Sequence, residues 1–532
     1  MTDKSTLPIR VLVADSISQE GVDLLNATDG FEAVVKTGMS PDQLRRTVSD
    51  FDGLIVRSAT QVTEEVLAEP GRLRAIGRAG TGVDNIRLDA ATRAGVVVMN
   101  TPGGNSLAAA ELTMALLLGL ARDVPQANAE LREGRWERKK HMGVEVAGKT
   151  LGIVGLGRIG REVARRAQGF RMDVIGHDPF VSSEGAADLG ITICELDELI
   201  AKADFISLHV PRSDETKHMI NAETIGRMKQ GARIINCARG GLIDEKALLA
   251  ALESGHLGGA ALDVFESEPP TDDGLVRHPR TVCTPHLGAS TREAQVRVGV
   301  EIAEKMRDFF LSGLILDAVN FPSIGRKDYA TLGPVMDLAE RLGSFMGQVV
   351  EGGVQRLEVR TLGELAEHSL KPLVMAAAKG LLSSQVEGAV SYVNALGLAG
   401  ERGITVEEGR STETSHFAGL LRVTLTTDKG TATVAGTLLA PDRPRIVEVD
   451  GVPIEARPAG NLLFIRNRDV PGIVGQLGTL LGTQGVNIAG IQLGRVGDKA
   501  ASIISVDTEI LSETVDRIRA VDGVLYVRSA KV

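Results

Sequence analysis

The sequence predicts an α/β chain of two doubly wound parallel-sheet lobes, followed by an α+β unit and a terminal βαββαβ unit. Three observations carry that reading. From Ile9 to about Pro102, short β-branched runs (IRVLVAD, EAVVKT, GLIVRS, RAIGRAG, VVVMN) alternate with polar stretches of helical period at 41–48 and 64–68, the pattern of a parallel layer. A second alternating series opens at Lys149 with TLGIVGLGRIG and continues through MDVIGHD, ADFISLHVP, ARIINCARG, GAALDVF and TVCTPHLGA. The last stretch, 460–532, reads strand, helix, strand, strand, helix, strand, the split βαβ order.

Between the two lobes an apolar helix starts near Asn105, with Asn105 or Ser106 as its N-cap, and runs toward Val124. A helical pattern over 291–312 carries the chain back to the first lobe, which makes that lobe discontinuous and sets the cleft between the lobes. The expected division is 1–104 with 299–323 for the first lobe, 105–298 for the second, 324–457 for an interposed unit and 458–532 for the terminal one. The interposed stretch mixes helices with strands and carries no chemical motif.

Composition narrows the function classes. At 532 residues the chain exceeds one hydrophobic core, and 43% hydrophobic with 24% charged residues marks an ordinary folded protein. A formal charge of −10 offers no basic field for nucleic acid or anionic lipid. The longest apolar run, 114–121, is well short of the roughly 20 residues that span a bilayer. Neither a signal peptide nor a lipidation signal opens the chain, so a cytoplasmic protein is expected. Cys194, Cys237 and Cys283 form no CxxC pair, which predicts neither disulfides nor a metal site. The expected ligand is a small molecule.

Chemistry enters at Gly155-Leu156-Gly157-Arg158-Ile159-Gly160, directly after an apolar run and opening a helix. There the first glycine permits a tight turn, the second lets backbone approach a pyrophosphate, and the third lets helix pack on strand. Asp178 ends the next strand, where an acid accepts from ribose hydroxyls and repels a 2′-phosphate, so NAD is favoured over NADP. Its bland alternative is a turn aspartate before Pro179.

Arg239 in NCARGG, Glu268 in VFESEPP and His286 in TPHLGA follow strand-like segments of the same lobe. Oxidising a 2-hydroxyacid needs a base for the hydroxyl proton, and an imidazole titrates near neutrality. A carboxylate beside it would fix the tautomer, and a guanidinium fork would hold the substrate carboxylate and the C2 oxygen. Each residue alone also fits an ordinary loop; their joint occurrence downstream of the glycine turn points to catalysis.

GLGRIGREVA, NCARGGLIDEKAL, DVFESEPP and TPHLGASTREAQ resemble signature segments of the D-isomer-specific 2-hydroxyacid dehydrogenases. GLIVRSATQVT, IGRAGTGVDNI, NTPGGNSLAAAELTMALLLGLAR and RWERKKHMGVE are similar to the branch of that family that oxidises 3-phosphoglycerate. The resemblance covers essentially the whole chain and matches the long bacterial form, with an interposed domain and a terminal ACT domain.

It implies His286, Glu268 and Arg239 as catalytic residues and NAD contacts at Thr81, Arg158, Ile159, Val210, Cys237, Ala238, Asp263, Gly288 and Ala289. Val210 departs from relatives with threonine there. For the substrate it implies Arg57, Ser58, Gly80 and Arg138, with Arg78, Lys139 and Lys140 as further cations and one of the group reaching across a subunit interface. Trp136 reads as an interface or packing anchor, and Cys237 and Cys283 as small buried hydrophobes. In the ACT unit it implies an effector, L-serine, held between paired subunits by Asp469, Asn487 and backbone N–H groups near Gly472, although Asn467 replaces an aromatic found in serine-sensing relatives. A homotetramer built from dimers is implied too. The implied reaction is 3-phosphoglycerate to 3-phosphohydroxypyruvate with reduction of NAD, the entry to serine synthesis. Another 2-hydroxyacid, such as glycerate or 2-hydroxyglutarate, and a non-enzymatic dinucleotide sensor are the alternatives.

Overall fold

The computed structural model describes residues 7–271, 274–386, 388–413, 417–497 and 499–532, apart from the side chains of Ser183 and Lys499. Strands β1 (Ile9–Val13), β2 (Phe31–Val35), β3 (Gly53–Val56), β4 (Ala75–Arg78) and β5 (Val97–Asn100) form one sheet in the order β2-β1-β3-β4-β5. Every pairing is parallel. Helices cover both faces, so strands such as GLIV are buried along their whole length, as a parallel sheet requires. The helix Pro41–Val48 starts where expected: the Ser40 hydroxyl accepts from the Gln43 N–H at 3.3 Å while the Gln43 amide oxygen accepts from the Ser40 N–H at 2.8 Å.

The second lobe is a seven-stranded parallel sheet of β6 (Thr150–Val154), β7 (Asp173–His177), β8 (Thr192–Ile193), β9 (Phe205–Leu208), β10 (Arg233–Asn236), β11 (Gly259–Leu262) and β12 (Thr281–Cys283). Its order, β12-β11-β10-β9-β6-β7-β8, reverses beside β6. That switch point leaves a crevice outside the carboxyl ends of β6 and β9, where open α/β sheets bind ligands. The bridging helix Ser106–Ala121 is apolar apart from Ser106, Thr113 and the exposed Glu111, and is buried along most of its length. Asn105 stands at its N-cap position but makes no cap bond; its amide oxygen instead accepts the Thr81 hydroxyl proton at 2.8 Å.

The return helix Arg292–Ser312 is capped by the Thr291 hydroxyl and ends on Gly313 at φ 68°. It packs against the first lobe: Ile302 and Met306 press on β3 and β4 at Gly53 and Gly77. The division expected at 298/299 therefore falls inside a continuous helix.

Beyond it, helices Arg326–Val349 and Lys371–Ser383 pack on a six-stranded mixed sheet. Its strands are β13 (Val354–Gly363), β14 (Thr405–Ser411), β15 (Gly419–Thr427), β16 (Gly430–Leu438), β17 (Pro444–Val449) and β18 (Val452–Ala456). Its core continues into the first lobe, with the Phe321 and Tyr392 rings 6.1 Å apart.

The terminal unit has β19 (Asn461–Arg468), β20 (Ile488–Val496), β21 (Lys499–Val506) and β22 (Val524–Lys531) in the antiparallel order β20-β21-β19-β22. One face carries the helices Ile473–Thr483 and Ser512–Arg519. The other, through Leu462, Phe464 and Ile503, joins the core built on Arg326–Val349. Among the described residues no helix is long and apolar enough to cross a membrane, and no cluster of His, Cys, Asp and Glu is placed to hold a metal.

Candidate active site

The glycine turn sits at the switch point. Gly155 has φ 94°, and a Cβ there would lie 2.6 Å from the His209 carbonyl oxygen, so only glycine lets β6 and the end of β9 approach so closely. A Cβ on Gly160 would fall 2.1 Å from the Gly155 oxygen. At Gly157, the N-cap of the helix Arg158–Gly169, no atom of the described residues beyond its own chain neighbours lies within 4 Å of that position. Bare backbone at a helix N-terminus with open space before it suits a diphosphate.

Asp178 stands just past β7. Its Oδ2 accepts the Leu156 N–H at 2.8 Å and its Oδ1 the Phe180 N–H at 2.9 Å. Each oxygen keeps a lone pair for a hydroxyl, so the residues present fit the ribose of a dinucleotide. The turn reading of Asp178 is also true: the carboxylate holds both turns it joins.

A cavity of about 340 Å³ opens between the lobes. From the first lobe Arg57, Ser58, Arg78, Gly80, Thr81 and Asp84 line it; from the second come Ile159, His209, Val210, Cys237, Ala238, Arg239, His286, Gly288 and Ala289. His286 Nδ1 lies 2.7 Å from Glu268 Oε2. That bond places the proton on Nδ1 and leaves Nε2 as the free acceptor. Glu268 is aimed by its own loop, its Oε1 accepting the Phe265 N–H at 3.2 Å.

His286 has a left-handed backbone, φ 54°, costly for a residue with a Cβ unless its surroundings impose it. Asp263 imposes it. Fully buried, it accepts the Thr284 hydroxyl and the Leu287 and Gly288 N–H groups at 2.6, 2.7 and 2.8 Å, while its carbonyl oxygen accepts the His286 N–H at 2.9 Å. The sequence pointed to Asp263 only through resemblance; its grip on the histidine loop follows from the loop's fold.

Three guanidinium groups share the cavity. Arg78 is the most enclosed: burial, then the positive charges of Arg239 and Arg57, lower its pKa to about 10. Its Nε has no hydrogen-bond partner among the described residues, a cluster that an anion would complete. Arg57 donates from Nη1 to the Ser16 carbonyl at 3.2 Å. Arg239 donates from Nη1 to the Ala238 carbonyl at 2.7 Å and pairs through Nε with Asp84 at 3.0 Å.

Burial pushes the Cys237 thiol up to about 12, so it stays protonated at neutral pH and is no nucleophile. Arg158 is exposed at the start of its helix beside Gly103, outside the cavity lining. The sequence left His209 unmentioned; burial lowers its pKa to about 4, so it lines the crevice as a neutral ring, bonded at Nε2 to the Ser207 hydroxyl at 2.9 Å.

Two expectations narrow to their interface alternative. Arg138 is exposed on the stretch after the helix Val124–Arg132 and does not line its own chain's cavity. Trp136 on the same stretch is 75% exposed and so does not anchor packing within one chain.

In the terminal unit, Asp469 follows β19 and lies 3.4 Å from Arg495 near the end of β20. Asn487 precedes β20 and bonds Asp507 just past β21. Because β19 and β20 run in the same direction, those loops lie at opposite ends of the sheet. The eight-residue β19 separates them by roughly 25 Å, so one small ligand cannot touch both within one chain.

Comparisons agree with this geometry. Residues 114–288 match the family model described as D-isomer specific 2-hydroxyacid dehydrogenase, NAD binding domain. Residues 331–450 match the D-3-phosphoglycerate dehydrogenase intervening domain and 461–523 the ACT domain. The chain is 45% identical over 98% of its length to a D-3-phosphoglycerate dehydrogenase of Synechocystis, covering 95% of that protein. It is 41% identical, over 98% of its length and 99% of the relative, to that of Bacillus subtilis. Among solved structures, a glyoxylate reductase from Paecilomyes thermophila aligns with TM-score 0.55 at 31% identity, over 59% of this chain and 99% of that one. A D-lactate dehydrogenase from Aquifex aeolicus complexed with NAD and lactic acid aligns with TM-score 0.51 at 28% identity, over 59% and 100%.

Proposed function

The chain belongs to the D-3-phosphoglycerate dehydrogenases of the D-isomer-specific 2-hydroxyacid dehydrogenase family, and on that premise we propose that it oxidises 3-phospho-D-glycerate to 3-phosphohydroxypyruvate with NAD as acceptor. The carrying observation is the His286–Glu268 pair opening on the same cavity as three guanidinium groups. A substrate with a carboxylate, a phosphate and a C2 hydroxyl supplies the negative charge that cluster requires.

Arg239 takes the carboxylate, and Arg57 and Arg78 take the phosphate. His286 Nε2 removes the C2 hydroxyl proton, and Glu268 stabilises the imidazolium that results. NAD, when bound, accepts the hydride from C2. Gly157 and the following helix N-terminus receive its diphosphate, Asp178 its ribose, and Thr81, Ile159, Val210, the Cys237-Ala238 segment, Gly288 and Ala289 border its nicotinamide end. Arg158, Asp263 and Gly80 complete the cofactor and substrate set.

This step opens serine synthesis, and L-serine, the end product, is the proposed effector of the ACT unit. The opposite placement of Asp469 and Asn487 supports a ligand shared between subunits, in a homotetramer whose exposed Trp136 and Arg138 meet a neighbouring copy. The three unpaired cysteines suit a reducing cytoplasm. The proposed units are 1–104 with 299–323, 105–298, 324–457 and 458–532, the helix Arg292–Ser312 running through the 298/299 division.

The test is NADH formation on 3-phosphoglycerate, glycerate and 2-hydroxyglutarate, with and without L-serine. Preference for the phosphorylated acid is expected. Equal turnover of glycerate would move the reading to another 2-hydroxyacid, and no turnover with any acid would leave a dinucleotide sensor.

A further inference from the structure

Asp84 has no part in the proton or hydride chemistry, yet it occupies the cavity wall opposite Arg239. It sits on the first-lobe loop after β4, while Arg239 follows β10 of the second lobe. Their contact, Nε to Oδ2 at 3.0 Å, therefore crosses the cleft. With the Asp84 side chain 73% exposed, an ion pair of this kind adds little to stability. Its effect is orientation.

The guanidinium has three nitrogens to distribute. Nη1 goes to the Ala238 carbonyl and Nε to Asp84, which leaves Nη2 to face a ligand. Nη2 is also seated against the first lobe: a Cβ on Gly82 would lie 2.2 Å from it. Asp84 further offsets the positive charge of the cluster, since it favours the charged form of Arg78 while Arg239 and Arg57 oppose it.

We infer that Asp84 is a positioning residue for Arg239, a tie across the cleft that turns the guanidinium's free edge toward the substrate carboxylate as the lobes meet. This rests on the proposed dehydrogenase reading but needs only a 2-hydroxyacid carboxylate, so it is testable on whichever acid the wild type turns over.

The experiment compares wild type, Asp84→Asn, Asp84→Ala and Gly82→Ala, each also combined with Arg239→Lys. Asp84→Ala should lower kcat/KM about tenfold or more, mainly through a higher substrate KM, with NADH affinity and thermal midpoint unchanged; one charge-assisted hydrogen bond carries that size of effect. Asp84→Asn keeps an acceptor for the Nε–H and should recover part of the loss. Gly82→Ala crowds Nη2 and should raise the substrate KM likewise. In the Arg239→Lys background, Asp84→Ala should cost little more, because its effect runs through the guanidinium. Full additivity of the two changes, or an unchanged substrate KM in Asp84→Ala, would overturn the inference. An inactive wild type would instead count against the dehydrogenase reading.

Discussion

The interlobe cavity and the terminal unit treat sequence distance in opposite ways. Arg57, Arg78, Arg239 and His286 span more than half of the chain's second and first lobes yet line one cavity, whereas Asp469 and Asn487, close in sequence, stand at opposite ends of one sheet. Strand direction explains both. In a parallel sheet every strand delivers its carboxyl end to the same edge, so residues just past strand ends converge. Where a helix crosses over between two parallel strands, the loop after the first and the loop before the second lie at opposite edges.

The largest effect that can break this contrast is at the base. His286→Ala should cut kcat by a factor on the order of 100 to 10,000, because a positioned general base contributes about that much, while NADH titration shows binding retained. Near-normal turnover would mean that the converged residues do not perform the chemistry.

Next comes the dinucleotide edge of the same sheet. Asp178→Ala should reduce the preference for NAD over NADP roughly tenfold or more, the worth of hydrogen bonds to a charged carboxylate, read as the ratio of kcat/KM for the two cofactors. An unchanged ratio would remove Asp178 from the ribose site.

The terminal unit allows a sharper test of divergence. Asp469→Ala and Asn487→Ala should each lose the serine effect on velocity, and co-folded mixtures of the two should regain part of it, because some interfaces then combine an intact Asp469 with an intact Asn487 of another copy. Failure of mixtures to recover would contradict a shared site.

The smallest effect concerns the exposed stretch that carries Trp136 and Arg138. His141 Nδ1 lies 2.5 Å from Asp123 and Nε2 3.0 Å from Glu130, with Lys140 and Arg135 also around Glu130. The Asp123 bond, then that to Glu130, raises the His141 pKa. A raised histidine contributes fully below its unfolded value and loses that contribution as pH rises through the raised one. Tryptic cutting at Arg138 to Lys140, normalised to the denatured chain, should therefore increase over that rise, and His141→Gln should be cut readily throughout. Protection that does not vary with pH would show that His141 does not hold the stretch.

Much of the candidate site was legible because its residues lie in short motifs after strands: the glycine turn, Asp178, and the segments bearing Arg239, Glu268 and His286. What escaped depends on three-dimensional closure. Nothing local in NCARGG or TGVDN says that Asp84 meets Arg239 across a cleft, or that the buried Asp263 winds the histidine loop into its left-handed turn. Arg138 illustrates the converse: a basic run suggests an anion site, but folding leaves it outside its own chain's cavity, where only a neighbour could use it. The continuous core between the first lobe and the interposed unit was equally hidden, since apolar periodicity marks a buried face without naming what covers it.

Tracing the C2 hydrogen tests the central claim most directly. With 3-phosphoglycerate deuterated at C2, the expected result is deuterium recovered in the reduced cofactor, at a rate that collapses in His286→Ala while the label still transfers without loss. Deuterium released to water, or a transfer rate unaffected by removing the imidazole, would contradict it.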